Sequence, residues 1–184
     1  MKYVYHGSNK SNLKVIKPNV STHMKNWVYA TPSFAVATIF LSNKGNDLYY
    51  YLGGFGTKDS PIVLVERKKD MFKEIFNVSG TIYKLNSENF LENQTGWSME
   101  VVSIKDEEVV EEYTIDNVYN ELIKLDKQGE LKLYLYPDRP NIIPSDNSDL
   151  IPKVKRWEKN GFNIQKFFNL YPELKDKYKE NIEE

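Results

Sequence analysis

The sequence predicts an α+β domain, and three observations carry that expectation. Short β-branched and aromatic runs, bounded by Gly, Pro, Asn or Ser, recur along the chain. Stretches with helical spacing of apolar residues lie mainly between them and after Ser148. The two kinds do not alternate regularly and no internal repeat is visible, so a doubly wound parallel sheet is not expected. The tally is roughly six to eight strands and four to six helices.

Taken in order, Lys2 to Tyr5 alternates and reads as a strand, broken by Gly7-Ser-Asn9. Leu13, Val15 and Ile16 form a short extended piece ending at Pro18. Asn19 to Asn26 is a polar loop holding His23. Trp27 to Ala30 is a second strand; Thr31 then reads as a helix N-cap and Pro32 as a first helical residue. Phe34, Ala37 and Leu41 give that helix its apolar spacing. Leu48 to Leu52 fits either a strand or a helix, and Gly53-Gly-Phe-Gly56 reads as a turn or loop. Ile62 to Glu66 is a buried strand, Lys68 to Phe76 one or two helical turns, and Gly80 to Leu85 a further strand. Asn86 to Phe90 reads as a turn with a short helix.

In Trp97-Ser-Met-Glu-Val-Val-Ser103, alternation places Ser98, Glu100 and Val102 on one face. Val109 to Ile115 is a strand candidate, and Asp116 an expected cap for the helix carrying Val118, Leu122 and Leu125, closed near Gly129. Leu131, Leu133 and Leu135 alternate with polar or tyrosyl neighbours as in a half-buried strand. Beyond a Pro-rich loop, Ser148, Asn163 and Pro172 each mark the start of a helix. The expected organisation is an α/β domain over 1–137 and a helical extension over 138–184. The helices present apolar faces that need a partner, so the extension is expected to pack on the domain.

Composition narrows the function. Lys and Arg number 25 against 26 Asp and Glu, which argues against a large nucleic-acid footprint, although a local basic patch could survive the average. With no Cys there is no disulfide, thiolate metal site or Cys nucleophile. Two His without a His-x-x-x-His pair make a zinc site unexpected. No run approaches the ~18 apolar residues of a membrane helix and Met1 to His6 lacks a signal-peptide pattern, so a soluble cytoplasmic protein is expected. Walker, Rossmann and nucleophile-elbow patterns are absent.

Two strand ends and one carboxylate stand out. His6 ends the first strand, followed by Gly7, which allows close backbone approach, and by the Ser8 hydroxyl. A His in this position is commonly only a hydrogen-bonded structural group. Tyr29 ends the second strand. Glu100 lies among apolar neighbours, where a carboxylate is costly unless paired or bordering a cleft; an exposed sheet face would suit it equally. Glu108, Glu111 and Glu112 are its rivals, in a run better read as a solvated edge than as a metal site.

Together Tyr5-His-Gly-Ser8, Val28-Tyr-Ala30 with its following helix, and Met99-Glu-Val-Val-Ser103 resemble the ADP-ribosyltransferase superfamily. The resemblance, over roughly residues 3–118, is to its His-Tyr-Glu branch, which holds the poly(ADP-ribose) polymerases and diphtheria-toxin-like enzymes. It implies a split mixed or antiparallel β core with flanking helices. It implies NAD as substrate and no metal. His6 would bond the adenosine ribose and the Gly7 backbone the nicotinamide carboxamide, with Ser8 beside them. Tyr29 would stack on the nicotinamide, with Phe40, or less readily Phe34, as second aromatic. Glu100 would hold the nicotinamide ribose and stabilise the cationic state as nicotinamide leaves. Ser98 stands where an Arg-modifying enzyme would carry a second acidic residue, so Arg modification is not expected. The acceptor (protein, nucleic acid or small molecule) is left open. The alternative expectations are a module that binds nucleotide without turnover and an aromatic-surfaced interaction protein.

Overall fold

The computed structural model describes residues 2–20, 23–42, 47–54 and 61–180. It is α+β, and the strand pairs whose register is known are antiparallel. No helix among the described residues is long and apolar enough to cross a membrane. The chain forms two compact units, Met1–Lys44 with Phe72–Lys132, and Gly45–Met71 with Leu133–Glu184. This partition does not follow the expected break at 137/138. The strands at 50–53 and 63–66 fall in the same unit as the C-terminal helices.

In the first unit, β1 (Tyr3–Ser8) pairs with β7 (Gly80–Asn86), which pairs with β9 (Glu107–Ile115), and β9 carries β2 (Val15–Ile16) on its far edge. A second sheet orders β3 (Asn19–Val20), β4 (Asn26–Ala30) and β8 (Val101–Ser103). Val4, Ile16, Val28, Ala30, Tyr83, Leu85 and Val101 form one buried cluster drawn from both sheets. The buried Tyr83 hydroxyl donates to the Lys10 carbonyl at 2.7 Å and accepts from the Leu13 N–H at 3.2 Å, fixing the irregular segment after β1.

Helix α1 (Phe34–Ile39) is buried from Ala35 to Ile39. It approaches the sheet where there is no side chain to hold it off. A Cβ on Gly7 would stand 2.7 Å from the Ala37 carbonyl, and one on Gly80 2.6 Å from Leu41 Cδ2. Gly7 is therefore demanded first by the helix behind it. The expected cap at Thr31 is not the one formed. Thr31 is engaged in a bridge to Tyr5, and Ser33 caps α1 by accepting from the Val36 N–H at 3.2 Å. Similarly Asn117, not Asp116, caps α3 (Val118–Gln128), accepting from the Asn120 N–H at 2.9 Å. The helix closes at Gly129, whose φ of 79° is left-handed, as the sequence indicated.

Two further expectations give way. Asn86 ends β7, and residues 87–89 form a bend and turn without a helix. The alternation drawn through Trp97 to Ser103 fails because 97–100 is a turn, closed by Glu100 N–H to the Trp97 carbonyl at 3.1 Å, and the strand begins at Val101.

In the second unit β6 (Val63–Glu66), buried throughout, lies between β5 (Tyr50–Gly53) and β10 (Lys132–Tyr134). The ambiguous 48–52 run is thus partly strand. Of the glycine cluster, residues 55 and 56 lie outside the described residues. Leu48, Leu150, Val154, Phe167, Tyr171, Leu174 and Tyr178 make an apolar core with α4 (Ile151–Lys159), α5 (Gln165–Leu170) and α6 (Lys175–Glu180). Ser148 begins a 3₁₀ turn ahead of α4, and Pro172 another ahead of α6, instead of starting those helices directly. Asn163 accepts from the Gln165 N–H at 2.8 Å near the start of α5. Buried Arg67 forms a two-pronged pair with Asp149 at 3.0 and 2.8 Å and also donates to Asn147.

Candidate functional site

The site arises where two strands stop pairing. β1 and β4 meet at Tyr5 and Thr31, whose N–H groups each donate to the other's carbonyl at 2.8 and 2.9 Å. At the next residue an imidazole replaces the ladder, with His6 Nδ1 2.7 Å from the Tyr29 carbonyl. Beyond it the strands separate and leave a cleft of about 500 Å³ within the first unit.

Five of the six expected site residues line this cleft: His6, Gly7, Tyr29, Phe40 and Glu100. They come from β1, β4, the end of α1 and the turn before β8, segments spread over 95 residues of sequence. Ser8 does not join them. It lines a neighbouring cleft of about 530 Å³ that shares only His6 and Asn19 with the first, and its hydroxyl accepts from the Lys10 N–H at 3.1 Å. Phe34 is also elsewhere, held edge-on between Tyr5 and Tyr113 with ring centroids 5.5 and 5.4 Å away.

The tautomer of His6 follows from its partner. A carbonyl can only accept, so Nδ1 carries the hydrogen. Burial lowers the His6 pKa below its ordinary 6.5, against a smaller opposing effect of the bond to Tyr29. The ring is therefore neutral at pH 7, and Nε2 is left as an acceptor. Gly7 presents a second set of groups. On an antiparallel strand, alternate residues direct N–H and C=O to the same edge. Because Tyr5 uses the edge facing β4, Gly7 aims its amide and carbonyl toward that edge too, where among the described residues no strand pairs with it.

The aromatic wall is wider than the sequence suggested. Tyr29 carries the His23 ring stacked at 5.9 Å, with 22° between planes, and His23 Nδ1 lies 3.3 Å from the Tyr29 hydroxyl. Trp27 stands edge-on to Tyr29 at 5.9 Å. His23, read from sequence only as part of a polar loop, is exposed, yet its ring is stacked on Tyr29. The available signal was the i, i+2 spacing of Trp27 and Tyr29, which puts both rings on one face. Across the cleft Phe40 meets Trp97 edge-on at 5.8 Å, so the turn that carries Glu100 is braced against the second aromatic of the site.

Glu100 is half-buried and is the acidic residue in the cleft lining. Its rivals are on β9: Glu108 stands across from Val15, Glu111 accepts from Lys84 at 3.0 Å, and Glu112 stands across from Tyr83. None of the three lines the cleft. Ser98, two residues before Glu100, is exposed and also outside the lining. Among the described residues no group of three or more His, Asp or Glu side chains is placed to hold a metal ion. Among the described residues, the arrangement offers an acceptor nitrogen, a backbone donor–acceptor pair without a strand partner, two aromatic surfaces and one carboxylate around a single opening. No family model matches the chain, and no curated protein and no solved structure is matched by it.

Proposed function

We propose that the chain is an NAD-dependent ADP-ribosyltransferase or NAD glycohydrolase with a split ADP-ribosyltransferase-like core, acting at this cleft. The observation that carries the reading is the convergence of His6, Gly7, Tyr29, Phe40 and Glu100, singled out by type and order in the sequence, on one opening. A primary carboxamide has one acceptor oxygen and two donor hydrogens, which suits the N–H and C=O of Gly7, unpaired among the described residues, as a further strand would. The pyridinium ring of NAD then lies against Tyr29 with Phe40 at the other side of the opening. Neutral His6 accepts a ribose hydroxyl at Nε2.

Breaking the bond between nicotinamide and ribose leaves positive charge on the sugar. A fixed carboxylate stabilises that charge without reorganising, and Glu100 is the carboxylate in reach of the cleft. The electron pair of the broken bond leaves with nicotinamide, and water or an acceptor nucleophile attacks the anomeric carbon.

The test is nicotinamide release from NAD by the purified protein, with Glu100→Gln beside it. Wild type releases nicotinamide and the variant is slower by about a hundredfold or more, while NAD still raises the melting temperature of both. Melting shifts without release by wild type would favour the alternative, a nucleotide-binding module without turnover. Neither release nor a shift at millimolar NAD would remove the reading.

A further inference from the structure

The first acidic residue of the chain is Asp47. The preceding quarter, which would hold six or seven of the 26 Asp and Glu if they were spread evenly, holds Lys2, Lys10, Lys14, Lys17, Lys25 and Lys44 instead. Near-neutral net charge conceals this segregation. In the fold the acid-free segment builds β1 to β4, and hence most of the walls of both clefts. The second cleft is lined by Lys10, Lys17, Ser8, Asn9, Asn19 and His6 among others, and, among the described residues, by no carboxylate. Lys10, Lys14 and Lys17 are exposed, and among the described residues none of them forms an ion pair. On the neighbouring strand Glu107 is buried and bonded to Ser103 and Asn89, Glu111 is engaged by Lys84, and Glu108 stands exposed across from Val15.

Asn19, at one end of this groove, pairs with Trp27, and Trp27 belongs to the ring cluster of His23, Trp27 and Tyr29, with Lys25 Nζ 5.8 Å from the Trp27 centroid. His23 is exposed and Trp27 only half-buried. Unpaired cations along a groove and adjoining accessible rings are the two elements that hold a single strand of nucleic acid, the first gripping phosphates and the second stacking unpaired bases. A duplex would offer the phosphates but not the base faces. An acidic peptide would use the lysines and leave the rings without a flat partner.

We infer that this face binds single-stranded nucleic acid, with the backbone along the Lys10–Lys17 groove and a base on the His23–Trp27 rim. As the acceptor of the proposed transfer the strand rests on the NAD reading; as a bound ligand it does not.

The experiment is fluorescence anisotropy of a labelled single strand of about 12 nucleotides, as DNA and as RNA, without NAD and at two salt concentrations. Binding is expected at low salt, weakened steeply by added salt, and stronger for the single strand than for a duplex of the same sequence. Lys10→Glu with Lys17→Glu should weaken it about tenfold or more and flatten the salt dependence. His23→Ala with Trp27→Ala should weaken it about fivefold or more and remove the preference over duplex. Circular dichroism melting shows that each variant is folded; if Trp27→Ala lowers stability, His23→Ala alone, at an exposed position, provides the ring test. No binding at low salt, or affinity unchanged in the charge variant, overturns the inference. So does equal affinity for duplex and single strand, or a response to poly-glutamate competitor as strong as to nucleic acid. Strand binding without nicotinamide release would sink the enzymatic reading and keep this one; release without strand binding would do the reverse.

Discussion

At the scale of single residues His6 is the most constrained group of the site. Its hydrogen on Nδ1 is fixed by the Tyr29 carbonyl, and burial lowers its pKa. Because the folded-state pKa is the lower one, the unfolded chain binds the proton more readily. Stability from this residue is complete above the unfolded value near 6.5 and declines as pH falls from there through the folded-state pKa. Protonating Nε2 also removes the acceptor that the proposed NAD reading gives to a ribose hydroxyl. The NAD-induced rise in melting temperature should therefore shrink as pH falls through the folded-state pKa of His6, which lies below the ordinary 6.5, and His6→Gln should show a smaller rise with a flatter acid limb. A shift in wild type that stays constant across the pH range in which the His6 ring is seen to protonate by NMR would contradict that role.

Much of this was legible from residue types: a His and a Gly at one strand end, a Tyr at the next, and a Glu among apolar neighbours. What was not legible was geometry across distance. Ser8 follows Gly7 directly, yet the strand alternates and the segment after it turns away toward Lys10, so it faces another opening. Glu100 was distinguished from Glu108, Glu111 and Glu112 only by the registers of β8 and β9, which no local pattern encodes.

At the scale of elements the decisive contact is α1 against β1 and β7. Helix and sheet meet at two glycines, while β7 takes one edge of β1 and the other is left to the Thr31 bridge and the cleft. Gly7→Ala would place a methyl group 2.7 Å from a backbone carbonyl, which cannot move without shifting α1. A loss of about 1–3 kcal/mol is expected, read as a lower midpoint in urea. Removing the Ser33 hydroxyl by Ser33→Ala should cost about 0.5–2 kcal/mol through the lost cap. Sequence located both helices, α1 and α3, but misplaced both caps, since Thr31 and Asp116 are as suitable by type as Ser33 and Asn117. The choice was made by tertiary pairing: Thr31 is held in extended form by Tyr5, so the helix starts later.

For the molecule as a whole, the division into units explains why the C-terminal helices looked separable. They carry their own apolar cluster, but their sheet is taken from the hairpin at 50–66, far upstream in sequence. Such a discontinuous unit has no boundary that composition could mark. Its polar centre is Arg67, buried and paired with Asp149. Asp149→Ala would leave a buried guanidinium with Asn147 as a neutral partner, and a loss of about 3–5 kcal/mol is expected. The exposed pair of Lys84 and Glu111 is the natural control: Glu111→Ala should leave the unfolding midpoint nearly unchanged. Equal effects of the two would show that burial does not govern the Arg67 pair.

The Tyr83 hydroxyl gives the segment from Lys10 to Leu13 an unusual property. That segment has little regular structure, yet one phenol, reaching it from across 70 residues of sequence, holds a carbonyl at one end and an amide at the other. In heavy water the Leu13 amide should keep its proton far longer than its neighbours, like a strand amide set in a loop. Tyr83→Phe, by removing one oxygen atom, should release it to exchange at the rate of the surrounding chain.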